Sequence, residues 1–234
     1  MQAIVAENLT SHNSGGKWAP TVEKGNSIVA LVVIGGHSRD VGKTSVVAGL
    51  IAALREFEWT ALKITQYGHG ICSANGEACD CATGDHSWAI SEEHDQSGES
   101  DTSRFLVAGA RRVFWVRTEQ GRLAEAMPSV RLRLHGARNV IIESNSVLKF
   151  LRPDLYLTVL DPATADFKIS AREFLDRADG VILHESDDDP AWQSVSMKPI
   201  ARRPVFRIKP PRYVTTEIVG YVRARIADVL VSDH

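Results

Sequence analysis

The chain has 234 residues, 44% of them hydrophobic and 24% charged, with a formal net charge of -2. These values fit a globular protein that buries a core without disulfide or metal staples. They exclude a global basic field for nucleic acid, and no apolar run reaches the ~18 residues of a membrane span. The N-terminus shows no basic stretch leading into an apolar one, so no signal peptide is expected. All three cysteines fall between Cys72 and Cys81. That odd, clustered set argues against a secreted disulfide framework and for a cytoplasmic protein with a local cysteine site.

Residues 1–26 are mixed and polar, with Asn13-Ser14-Gly15-Gly16 and Pro20 as breakers, and read as an arm or an added edge element. Residues 27–234 read as one domain. It opens on the apolar run Ile28 to Ile34, rich in β-branched residues, as suits a strand buried on both faces of a parallel sheet. Glycines follow, then a helical pattern from Thr44 to Arg55. Further strands are expected at Thr60–Thr65, Val113–Val116, Val140–Ile142, Leu155–Leu160, Gly180–Leu183 and Pro204–Ile208. Helical patterns lie between most of them, among them Ser170 to Ala178 and Thr216 to Val229. Strands alternating with helices predict an α/β fold, a doubly wound three-layer sandwich with a mostly parallel central sheet. Gln66 to about Gly98 breaks the rhythm. It is polar, Gly-rich and holds every cysteine, and reads as a functional insertion.

The stretch Gly36-His37-Ser38-Arg39-Asp40-Val41-Gly42-Lys43-Thr44, continuing into Ser45, has the setting of a phosphate loop. A strand runs into glycines and then a helix, whose first N–H groups and dipole attract phosphate oxygens. Gly42 permits close approach of an anion. Lys43 can reach β- and γ-phosphates, and the Thr44 hydroxyl can bind Mg²⁺. The alternative is a Gly-rich turn with a chance Gly-Lys-Thr. Five residues separate Gly36 from Gly42, where the commonest form of the motif has four.

That spacing, with Val41 before the second glycine, resembles dethiobiotin synthetase and its relatives in the signal-recognition-particle/MinD/BioD-like class of P-loop proteins. Asp40 stands where that enzyme has an acidic residue. The resemblance implies catalytic roles for Lys43, Lys63 and Asp40. Lys63, in Ala61-Leu62-Lys63-Ile64-Thr65-Gln66, follows the second strand as a lysine does in that enzyme. It does so too in the molybdopterin-guanine dinucleotide biosynthesis protein B family. By itself it reads as a strand-end lysine that snorkels to solvent.

Ser100-Asp101-Thr102-Ser103-Arg104 before Ala108-Gly109-Ala110 resembles the same region of the protein B family, with Asp101, Arg104 and the Ala-Gly-Ala at matching spacing. The resemblance implies that Asp101 is a Mg²⁺ ligand. Read from its own residues, Asp101 is a helix N-cap. Glu143 ends the fourth strand, where a carboxylate facing a phosphate loop suits Mg²⁺ or its water shell. Both families carry Val-Glu-Gly there, and Ser144 replaces the glycine. Asn145 and Ser146 are then placed to touch substrate.

Cys72, Cys79 and Cys81 lie near His69 and His86. Three thiolates and His86 could complete a tetrahedral zinc site, although Cys-x-Cys is not the usual zinc spacing. Three free cysteines in a lid, or a redox pair, are the alternatives. The stretch Val181 to Asp187 lacks Asn-Lys-x-Asp, so guanine specificity is not supported and ATP or GTP stays open. Phe206 to Tyr213 suits purine contacts or a plain turn. Asp161, Asp166 and Lys168 either hold substrate or form a polar loop.

The expected function is Mg-dependent binding of ATP or GTP by an accessory NTPase of cofactor biosynthesis. Its partners would be nucleotide and either a small-molecule substrate or a cofactor-biosynthesis protein, with neither nucleic acid nor membrane involved. The resemblance implies a homodimer. Two further readings are a dethiobiotin-synthetase-like synthetase or kinase, and a metal-binding adaptor with a nucleotide switch.

Overall fold

The computed structural model describes residues 30–67, 87–192 and 195–232. The arm at 1–26, residues Ile28 and Val29, and Cys72, Cys79, Cys81, His69 and His86 lie outside them.

Eight strands form one sheet in the described residues: β1 (Ala30–Gly36), β2 (Thr60–Tyr67), β3 (Trp88–Glu92), β4 (Arg112–Glu119), β5 (Asn139–Glu143), β6 (Leu155–Leu160), β7 (Gly180–His184) and β8 (Val205–Ile208). Their order is β3-β4-β2-β5-β1-β6-β7-β8. Every pairing is parallel except β3 with β4. The helices are α1 (Lys43–Ala53), α2 (Asp101–Ala108), α3 (Leu123–Leu134), α4 (Ile169–Glu173) and α5 (Thr216–Ser232).

The strand pleat sorts the core into two halves. Leu31, Val33, Leu62, Phe114, Val140 and Ile142 pack on α3 and α4. Ala30, Val32, Ile34, Ala61, Val113 and Ile141 pack on α1, α2 and α5. Both faces of the sheet are therefore covered, and the fold is the expected doubly wound three-layer sandwich. All seven residues of β1 are buried, which is why that stretch reads as a continuous apolar run and not as an alternation. Among the described residues no helix is long and apolar enough to cross a membrane.

Three local expectations change. The Gln66–Gly98 region is not all loop, because β2 continues to Tyr67 and β3 returns antiparallel along β4. The helix expected over Ser170–Ala178 is shorter: α4 stops at Glu173 and a 3-10 turn, Leu175–Arg177, follows. Ser100, not Asp101, caps α2. Its hydroxyl accepts from the Ser103 N–H at 3.0 Å while the Ser103 hydroxyl accepts from the Ser100 N–H at 3.1 Å. This reciprocal pair satisfies two otherwise open donors. Asp101 thereby becomes the first residue of the helix, where its charge favours the helix dipole and its carboxylate is free to face the sheet.

Candidate functional site

The carboxyl ends of the parallel strands gather the loops that matter, with β1 in the middle between β5 and β6. The loop after β1 is fastened on three sides. Asn145, just past β5, grips Gly36 through both backbone groups. Its Oδ1 accepts the Gly36 N–H at 3.0 Å and its Nδ2 donates to the Gly36 carbonyl at 2.8 Å. Gly35 makes room for this clamp, since a Cβ there would lie 2.2 Å from Asn145 Oδ1.

On the β6 side the His37 N–H donates to Val159 O, and His37 O accepts from the Lys168 N–H. Ser38 Oγ donates to Asp166 at 2.7 Å. The His37 ring is buried between Phe167 and Trp192, with centroids 5.1 and 4.7 Å away. Its Nε2 lies 3.1 Å from Thr164 O. Asp161 closes the turn that presents Thr164, accepting from the Ala163 N–H and the Thr164 hydroxyl. On the β7–β8 side, His184 Nε2 lies 3.1 Å from Val41 O, and the Tyr213 ring covers Gly42. Gly42 has a φ of 85°, and a Cβ on it would lie 2.2 Å from the Tyr213 ring. Asp40, exposed at the loop tip, is also left-handed at φ 54°.

No side chain caps α1, and its first internal bond runs from the Val46 N–H to Gly42 O at 2.9 Å. The start of α1 thus offers N–H groups and a positive dipole end to an anion. Lys43 folds over the loop, its Nζ donating to Ser38 O at 2.5 Å. Burial pushes its pKa down to about 8, against the pull of Glu143. An ammonium held at such a cost gains from a phosphate that restores its charge partner.

Thr44 and three chain-distant residues converge beside it. Lys63 pairs in register with Glu143 across β2 and β5. The Lys63 Nζ is 3.3 Å from Glu143 Oε1 and 3.3 Å from Thr44 Oγ1, and it is hydrogen-bonded to Asp101. Thr44 Oγ1 donates to Glu143 Oε2 at 2.8 Å. Glu143 is only 5% exposed. Asp101 is about half open, with 45% of its side chain exposed. Burial works to lower the Lys63 pKa, but Glu143 and Asp101 outweigh it, and the net shift is upward. Arg104 extends the cluster, donating to Ser45 Oγ at 3.0 Å and lying 3.9 Å from Asp101.

The donor set suits a hard cation. Thr44, Asp101 and Glu143 supply oxygen only, and Mg²⁺ takes one or two carboxylates together with water and phosphate oxygens. Among the described residues no group of three or more His, Cys, Asp or Glu side chains gathers, so no all-protein metal cage forms there.

The structure thus brings together Lys43, Thr44, Lys63, Asp101 and Glu143. Asn145 is the main departure: it holds the loop and does not reach outward to substrate. Ser146 likewise turns to Gln66, at 2.9 Å. Ser144 is accommodated where a glycine was expected, its Oγ accepting the Val147 N–H at 3.2 Å. Sequence reasoning missed His184 as a contact of the loop, and a histidine at the end of β7 carried no motif to flag it.

Fold and loop together define a doubly wound α/β protein with a strand–loop–helix arrangement built for an anion. No family model matches the chain, and no curated protein does either. The solved structures to which the chain is similar include the following three. HypB from Helicobacter pylori, in complex with nickel, is 13% identical over 88% of this chain and 89% of its own, with a TM-score of 0.46. LpxK from Aquifex aeolicus, in complex with ATP, is 19% identical over 76% of this chain and 53% of its own, with a TM-score of 0.43. The signal recognition particle receptor FtsY from Elizabethkingia anophelis, in complex with GDP, is 12% identical over 91% and 66%, with a TM-score of 0.35. At such identities and TM-scores the chemistry has to be argued from the side chains.

Proposed function

We propose that this chain is a Mg²⁺-dependent nucleoside-triphosphate-binding protein that acts as an accessory NTPase in cofactor biosynthesis. The observation that carries the reading is the meeting of Thr44, Lys63, Asp101 and Glu143 at the start of α1. The triphosphate lies along Gly36 to Ser45, against the N–H groups that open α1. Lys43 exchanges the Ser38 carbonyl for β- and γ-phosphate oxygens. Thr44, Asp101 and Glu143 would hold Mg²⁺, which neutralises and orients the phosphates when bound. Lys63 adds a second positive charge for the phosphoryl group, and Asp40 stands at the exposed loop tip. Catalysis by such a set is positioning and electrostatics, with water attacking the γ-phosphate.

Slow intrinsic turnover is part of this reading. In the nucleotide-bound state both carboxylates of the cluster would be taken up by Mg²⁺, which leaves neither free to act as a general base. The resemblance to the molybdopterin-guanine dinucleotide biosynthesis protein B family supports the cofactor pathway and a homodimer. The zinc reading rests on Cys72, Cys79, Cys81 and His86 in the sequence alone.

A second reading is an ATP-dependent synthetase or kinase acting on a small carboxylate or amine, with Lys168 beside the loop as a contact for it. Burial and the neighbouring Arg39 lower its pKa, and its charge is felt by Lys43. Asp166, Asp40 and Glu143 face the same ammonium, so the crevice is of mixed charge and suits a small polar second substrate.

Phosphate release by the purified chain tests the accessory reading. The accessory reading predicts Mg-dependent turnover of ATP or GTP below about 0.1 s⁻¹, under the usual enzyme range. Sustained turnover of about 10 s⁻¹ without any partner contradicts it.

A further inference from the structure

The Lys63 ammonium sits among the oxygens assigned to the metal. It touches Asp101, lies 3.3 and 3.4 Å from the two Glu143 oxygens, and lies 3.3 Å from Thr44 Oγ1. The Thr44 hydroxyl spends its proton on Glu143 Oε2 and turns a lone pair to Lys63. A metal-ligating hydroxyl presents a lone pair to its cation in the same way. Mg²⁺ needs these oxygens at about 2.0–2.1 Å. A monovalent ammonium and a divalent ion cannot share one set of three ligands without strong like-charge repulsion.

We propose that Lys63 is a tethered cation that holds the magnesium position in the protein alone. Divalent metal then enters only together with the triphosphate, and its entry moves the Lys63 ammonium onto phosphate or substrate oxygens. This rests on the nucleotide-binding reading above. Charge balance favours the exchange. Glu143 is too buried to stand without a cation, so one must be present before nucleotide arrives. The two carboxylates are matched by one divalent ion, and the displaced lysine charge is then matched by the polyphosphate. The flexible four-carbon stem of lysine permits the move.

The test is Mn²⁺ binding without nucleotide, read by the loss of the free-ion spin-resonance signal. The wild-type chain is expected to bind weakly. Lys63→Met should bind at least about tenfold more tightly. Lys63→Arg, which keeps the charge, should bind as weakly as wild type. Adding Glu143→Gln to Lys63→Met should abolish the gain, which places the ion at this site. If Lys63→Met does not fold by circular dichroism, Lys63→Gln keeps a hydrogen-bond donor without charge and is read in its place. Equal or weaker Mn²⁺ binding by the uncharged variant overturns the proposal, as does a gain in Lys63→Arg. Wild-type Mg-nucleotide binding is measured alongside. Its loss would sink the nucleotide reading, whereas its presence without a Mn²⁺ gain would sink the exchange alone.

Discussion

Thr44 and Glu143 stand 99 residues apart and meet through a 2.8 Å hydrogen bond from hydroxyl to carboxylate. The bond is a product of sheet register. Ile34 of β1 lies beside Glu143 of β5, so the loop that leaves β1 brings the start of α1 over the end of β5. Glu143→Gln keeps the shape and removes the charge. The affinity for Mg-nucleotide should fall at least about tenfold, a loss of the size of a charge-assisted bond. Calorimetry with Mg²⁺ and with EDTA checks this. The ratio of the two affinities should collapse toward one in the variant, and an unchanged ratio would remove Glu143 from the metal site.

Asn145 should matter for stability. Asn145→Ala strips partners from both the N–H and the carbonyl of Gly36. An unsatisfied buried polar group costs about 1–3 kcal/mol, so the pair predicts a loss of about 2–6 kcal/mol in urea unfolding. A loss under about 0.5 kcal/mol would mean that the clamp is incidental.

Gly42 combines two constraints, a φ of 85° and the Tyr213 ring against its Cα. Gly42→Ala should cost about 1–3 kcal/mol from backbone strain alone. Nucleotide binding should be lost with it, because the Tyr213 ring or the loop must move. Adding Tyr213→Ala should relieve the clash but not the strain, and only part of the stability should return in thermal unfolding.

His37 predicts an acid limb of stability. Burial lowers its pKa below the value of about 6.5 for a free imidazole. Its Nδ1 is buried and has no partner among the described residues, so a proton there would be an unmet donor. The unfolded chain therefore binds the proton more readily than the folded one. Stability contributed by the neutral ring is present above about pH 6.5 and is lost as pH falls below it. In His37→Phe this part of the decline should vanish. Unfolding midpoints taken between pH 7.5 and 5 test it, and an unchanged slope would contradict it.

How much of this was legible in the sequence differs from element to element. The parallel strands were, because a strand buried on both faces announces itself as an unbroken apolar run, as in Val140-Ile141-Ile142. The strand–loop–helix arrangement around Gly36 to Ser45 was also legible, since its signal is local spacing. β3 was not, being a short half-buried edge strand inside a polar stretch. The α2 cap was misplaced by one residue because Ser100 and Asp101 are both good caps, and only the Ser103 side chain decides between them. The Asn145 clamp could not be read at all. Its partner is 109 residues away, and the contact exists only once β1 and β5 are in register.

The central claim is that the loop from Gly36 to Ser45 holds a triphosphate through Lys43 and Mg²⁺. Calorimetric titration of ATP and of GTP, each with Mg²⁺ and with EDTA, into wild type and Lys43→Ala tests it most directly. The account predicts that wild type binds at least one nucleotide, that EDTA weakens the binding, and that Lys43→Ala weakens it at least about tenfold. Binding of neither nucleotide by wild type, or equal affinity in Lys43→Ala, would contradict it.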